Sequence, residues 1–139
     1  MHFVTPVTAE IKRLIIEYNE VRKQKNHIMT ASIIDKMVSF YETDVNRINH
    51  ALKVYAFASC IARKEILTEN ETFIVDIAAI LHDIGIKEAE KKYNSSGGHY
   101  QEIEGPAIAR NLLAEENLDP ETLERICYII GNHHSYQKI

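Results

Sequence analysis

Cysteine is scarce: Cys60 and Cys127 are the only two, and no CxxC pair is present. They make no cysteine framework. Both fall in apolar, helical-looking stretches, so they are expected to be buried, reduced thiols of a cytosolic chain. Glycine (5) and proline (3) are also few, which argues against a turn-rich β-sandwich. Long hydrophobic runs are missing. The longest, residues 74–81, is interrupted by Asp76 and falls well short of the ~20 residues a membrane helix needs. The opening Met1-His2-Phe3-Val4-Thr5-Pro6 lacks a basic stretch followed by an apolar one, so no signal peptide is read and a soluble, cytoplasmic chain without membrane contact is expected. Excess positive charge is absent as well. Lys plus Arg is 16 against 20 for Asp plus Glu, a net charge of −4, which argues against a nucleic-acid clamp.

What is present fits one folded domain over residues 1–139, a length that buries roughly two thirds of its unfolded surface without a staple. Hydrophobic residues make up 45% and charged ones 26%, which excludes a disordered tail. Apolar residues recur at three and four: Ile11, Leu14, Ile15, Tyr18 and Val21, then Ile33, Ile34, Met37, Val38 and Tyr41, then a third stripe through Ile48, Leu52 and Tyr55. No segment alternates with period two over a convincing length, so the expected fold class is all-α. Thr68-Glu69-Asn70-Glu71 reads as a capping box, and Asp119-Pro120 as an N-cap before a first-turn proline. Gly85 is expected to end one helix, and residues 94–98 to form a loop. Six helices follow, over 8–25, 29–42, 45–67, 70–85, 101–117 and 120–133. The first two, within residues 1–44, pack on the core or hold a dimer interface, and a stripe alone does not tell which. Residues 45–139 carry the motifs.

Seven histidines are many for this length. The run Ile74–Leu81 is apolar on nearly all sides and should be central; it ends in His82-Asp83. A carboxylate at the end of a buried helix is costly unless something pairs with it. His50 lies on a stripe with Val54, Phe57 and Ile61 that looks buried. Two imidazoles and one carboxylate suit iron, manganese, cobalt or zinc better than magnesium or calcium, which prefer all-oxygen sites. Each member also has a plainer reading: a capping Asp83, a hydrogen-bonded core His50, or a solvated His133-His134 pair favoured by a helix end. Glu104 precedes Gly105-Pro106, where a bend would turn its carboxylate inward, and His99 sits beside the 97–98 glycines.

The order His50, Leu81-His82-Asp83-Ile84-Gly85, Glu104-Gly105-Pro106, His133-His134 resembles the HD-domain superfamily of metal-dependent phosphohydrolases, over about residues 45 to 139. It is similar to the two-metal members, HD-GYP phosphodiesterases included, without the GYP portion. The resemblance implies a compact HD-like bundle binding one or two divalent transition ions (Fe, Mn, Co, Ni or Zn). It makes His50, His82 and Asp83 the first-metal ligands, with Asp83 bridging to a second ion. It also puts Glu104, His133 and His134 at the second site. His99 matches no family ligand. The chain departs from the pattern twice. The first site normally closes with an Asp on a later helix, and no Asp follows residue 119, so a C-terminal helix of the site is expected to be missing. Ile86 stands where two-metal relatives often carry Lys, leaving Lys87, one residue on, as the candidate phosphate contact.

The resemblance therefore implies a hydrolase of a small phosphorylated substrate, a phosphate ester or nucleotide, with metal-activated water as nucleophile and Asp83 as the catalytic carboxylate. Two alternatives keep the same residues: a di-iron HD-type oxygenase, and a regulatory or binding module whose site is vestigial.

Overall fold

The computed structural model describes residues 5–134 and contains six α-helices and no strand among them. The all-α expectation holds. Helix α1 spans Pro6–Tyr41, α2 Val45–Lys64, α3 Glu69–Leu81, α4 Ile86–Tyr93, α5 Gly98–Leu113 and α6 Pro120–Ile130; a 3-10 turn, Ala114–Glu116, follows α5.

Helix α3 is the central element, packed against α1, α2 and α6. Its capping box is formed: Thr68 Oγ1 accepts from the Glu71 N–H at 3.1 Å, and Glu71 accepts from the Thr68 N–H at 3.0 Å. The Asp119 cap also forms, accepting from the Thr122 N–H. Phe73, Ile77, Ile80 and Leu81 of α3 meet Ile33, Met37 and Tyr41 of α1 and Ile126 and Ile130 of α6 in one buried core.

Several expectations are corrected. The two N-terminal helices are one, because nothing in Asn26-His27-Ile28 breaks a helix. Of the two readings left open for the stripe Ile11, Leu14, Ile15, Tyr18, Val21, packing on the core falls away, since every residue from 5 to 25 is exposed. Helix α3 stops at Leu81, and Gly85 caps the start of α4 rather than ending a helix. Helix α4 itself, Ile86-Lys87-Glu88-Ala89-Glu90-Lys91-Lys92-Tyr93, went unread because a single buried residue, Ala89, leaves no apolar stripe. Cys127 is buried as expected, but Cys60 is exposed on α2. No helix among the described residues is long and apolar enough to cross a membrane.

Candidate metal centre

The chain turns sharply between α3 and α4, and that turn carries His82 and Asp83. Gly85 makes the turn possible. A Cβ there would stand 2.6 Å from the Gln101 carbonyl oxygen and 2.7 Å from the Gly105 nitrogen. The turn therefore rests directly on the backbone of α5. His50 reaches in from α2, and His133 and His134 from the turn that follows α6.

Asp83 is the hub. Its Oδ2 lies 3.1 Å from His82 Nε2 and 3.3 Å from His50 Nε2, and the two imidazole nitrogens are 3.2 Å apart. Its other oxygen, Oδ1, lies 3.2 Å from His133 Nε2. Two candidate ligand sets result: His50, His82 and Asp83, and then Asp83, His133 and His134. Asp83 belongs to both.

The backbone sets which nitrogen each ring presents. His82 Nδ1 is 2.7 Å from the Ala79 carbonyl, and His133 Nδ1 is 2.7 Å from the Ile130 carbonyl. A carbonyl only accepts, so in both rings Nδ1 carries the proton, and in the neutral ring Nε2 carries the lone pair. Those lone pairs point at a carboxylate, which also only accepts when ionised. Such a cluster is satisfied by protons or by a cation. The spacing suits a cation: donors about 2.0–2.1 Å from one ion at tetrahedral angles lie roughly 3.3–3.4 Å apart. Carbonyl-oriented imidazoles with a shared carboxylate are also the usual supporting arrangement of a histidine metal site.

Electrostatics agree with the geometry. Burial opposes the charged form of Asp83, yet the hydrogen bonds and charges of His133 and His82 outweigh it and hold the carboxyl well below the usual range. Burial likewise disfavours the charged form of His82, but Asp83 and the Ala79 carbonyl prevail and raise its pKa. His134 is shifted down by burial and by neighbouring His133. It is anchored by α5, its N–H donating to Glu102 Oε1 at 3.0 Å and its Nε2 lying 3.1 Å from Gln101 Oε1. Gly98 leaves space for its ring, since a Cβ there would come within 2.6 Å of His134 Cγ.

Five of the sequence-derived site residues are thus brought together: His50, His82, Asp83, His133 and His134. Three are not. Glu104 is a residue of α5 that accepts from Lys92 Nζ at 3.1 Å and from the Tyr93 hydroxyl at 2.9 Å, and it is in neither ligand set. The expected inward bend is absent because α5 continues through Gly105 and Pro106. Lys87 donates to the Phe40 carbonyl at 3.1 Å and lines a separate groove with Lys91 and Glu104. Exposed His99 contacts only the Tyr100 ring among the aromatic pairs. The stripe around His50 is also not buried: Phe57 is 70% and Ile61 60% exposed, so the first ligand set opens toward solvent. Gln101 and Glu102 were missed, and nothing in their local sequence pattern marks them.

Comparison with known proteins gives one match: the sequence model of the family described as HD domain fits residues 47–139. No curated protein and no solved structure matches the chain significantly.

Proposed function

The chain belongs to the HD-domain family, and from that premise we propose that it is a metal-dependent phosphohydrolase of a small phosphate ester or nucleotide. The observation that carries the reading is Asp83, one of whose oxygens faces His50 and His82 and the other His133.

His50, His82 and Asp83 would hold one divalent transition ion, and Asp83 with His133 and His134 a second. Such an ion, when bound, supplies a water of lowered pKa and polarises a phosphoryl oxygen. The chain's own part is to aim and to hold. The Ala79 and Ile130 carbonyls keep Nε2 of His82 and His133 turned toward Asp83. Asp83 stays ionised through neutral pH. Gln101 and Glu102 fix His134 from α5. The exposed side of His50 leaves room for a substrate to approach from α2. Metal binding needs neutral imidazoles, so loading weakens on acidification, and the raised pKa of His82 makes that loss begin closer to neutrality.

The test is elemental analysis of the purified chain, followed by phosphate release from nucleotides and simple phosphomonoesters. Chelated protein is reloaded with Mn²⁺, Co²⁺ or Ni²⁺, with and without oxygen. Release that depends on the metal and not on oxygen is expected. Iron with oxygen consumption and no phosphate release would assign the oxygenase reading instead. A chain that takes up no metal would assign the vestigial one.

A further inference from the structure

The first twenty residues of α1 bury no side chain among the described residues. Every residue from 5 to 25 is exposed, and the first buried residue of the helix is Thr30. Asn26 is the first described residue of the helix that is not exposed, and its side chain donates to Glu69 at 3.5 Å. An isolated helix of this length is marginal in water. Its apolar residues are not scattered. Val7, Ile11, Leu14, Tyr18, Val21 and Ile28 follow a four-three spacing that only Lys25 interrupts. That is the 3.5-residue repeat of a two-helix seam, whereas a stripe packed on a straight-helix core follows 3.6. These six side chains are between 52% (Leu14) and 72% (Ile28) exposed.

We propose that the seam is covered by the same arm of a second copy of this chain, running antiparallel. Area supports a second copy. At roughly 100 Å² per side chain, the seam offers about 600 Å² per chain and about 1,200 Å² over a symmetric pair, the lower bound of a specific interface. Charge sets the direction. In a parallel pair like positions face each other, so Lys25 meets Lys25; in an antiparallel pair it faces the neighbourhood of Val7, with Glu10 one turn away. Glu17, close to its twin near the two-fold axis, is already held by Arg13 at 3.2 Å. Shape agrees. The base of the seam runs into a groove of about 550 Å³ with Tyr18, Val21 and Lys25 on one wall and Phe73 and Leu118 on the other. The tip of an antiparallel arm can end there. A parallel arm would have to continue through the body.

Sedimentation of the full chain from low to high micromolar concentration tests this. The expected species at high concentration has twice the chain mass of 16.0 kDa. Leu14→Glu, at an exposed position, is expected to weaken dimerisation about 100-fold without lowering the melting temperature of the body. Lys25→Glu is expected to weaken it too, and adding Glu10→Lys to restore it, a rescue that a parallel pair would not give. A monomer at all concentrations, or a dimer indifferent to Leu14→Glu, overturns the proposal. So does a monomer whose arm becomes protected on vesicles of anionic phospholipid, which would assign the seam to a membrane surface.

Discussion

Asp83 and Glu104 are both carboxylates with basic neighbours, and their partners give them different chemistry. Asp83 faces imidazoles, which give up a proton easily and can share a cation. Glu104 faces the Lys92 ammonium and the Tyr93 hydroxyl, which satisfy it outright. Glu104→Gln is therefore expected to leave metal content per chain unchanged, whereas Asp83→Asn abolishes it; elemental analysis after dialysis separates the two. The sequence made the first legible and the second misleading for one reason. His82 and Asp83 are neighbours at the end of an apolar run, so local pattern places them. Glu104 is decided by α4, a polar helix with no pattern of its own.

Asp76 is a third carboxyl whose surroundings decide its behaviour. It is buried on α3, and its Oδ1 has no hydrogen-bond partner. Burial raises its pKa above the ordinary 3.8, against the opposing pull of Ser59 and Arg63. A carboxyl whose folded pKa is raised adds stability fully below the unfolded pKa, and that stability is lost as pH rises through the folded value. Asp76→Asn removes this dependence. Its melting temperature relative to the parent is thus expected to become more favourable between pH 4 and neutrality. The change should be at least about 1 kcal/mol, the low end for a buried unpaired polar group, or roughly 3 °C. A difference that stays flat with pH would refute it.

At the scale of elements, the boundaries with side-chain chemistry are the legible ones. Thr68, Glu71 and Asp119 cap helices because their oxygens satisfy free N–H groups within their own turn. Boundaries set by backbone shape carry no such mark. Two residues past the end of α2 at Lys64, Ile66 has φ 54°, a left-handed conformation that a β-branched residue adopts only under strain, and Ile66 is 89% exposed. Ile66→Gly loses almost no packing and relieves that strain, so a gain of about 1 kcal/mol in denaturant unfolding is expected. Gly85 predicts the opposite. Its missing Cβ would meet backbone atoms of α5 that cannot rotate away. Gly85→Ala should cost about 1–3 kcal/mol and, by pushing the turn off α5, weaken metal binding as well; an unchanged unfolding midpoint would rule this out.

Across the whole molecule, stability is unevenly distributed. The core draws on α1 only from Met29 onward, and α2, α3, α5 and α6 contribute the rest of its helical residues. The first twenty residues of α1 add length without burial, a division invisible in the sequence because the stripes on the two halves of α1 are equally apolar. What separates them is the return of α3 beneath the second half alone, a long-range fact. A chain beginning at Asn26 is therefore expected to keep its fold. Among the described residues it loses no buried side chain, it gives up ion pairs such as Arg13 with Glu17 that are exposed and individually weak, and the imidazole cluster lies on other elements. Its melting temperature when dilute should stay within a few degrees of the full chain, and its metal content per chain should match. Hydrogen exchange gives the same contrast within the intact molecule: in dilute solution the amides of residues 6–25 should exchange quickly while those of α3 are the most protected, since local opening follows buried contact and not helix length. Collapse of the shortened chain, or an arm as protected as α3 at dilution, would show that α1 is supported by something other than the core it visibly packs against.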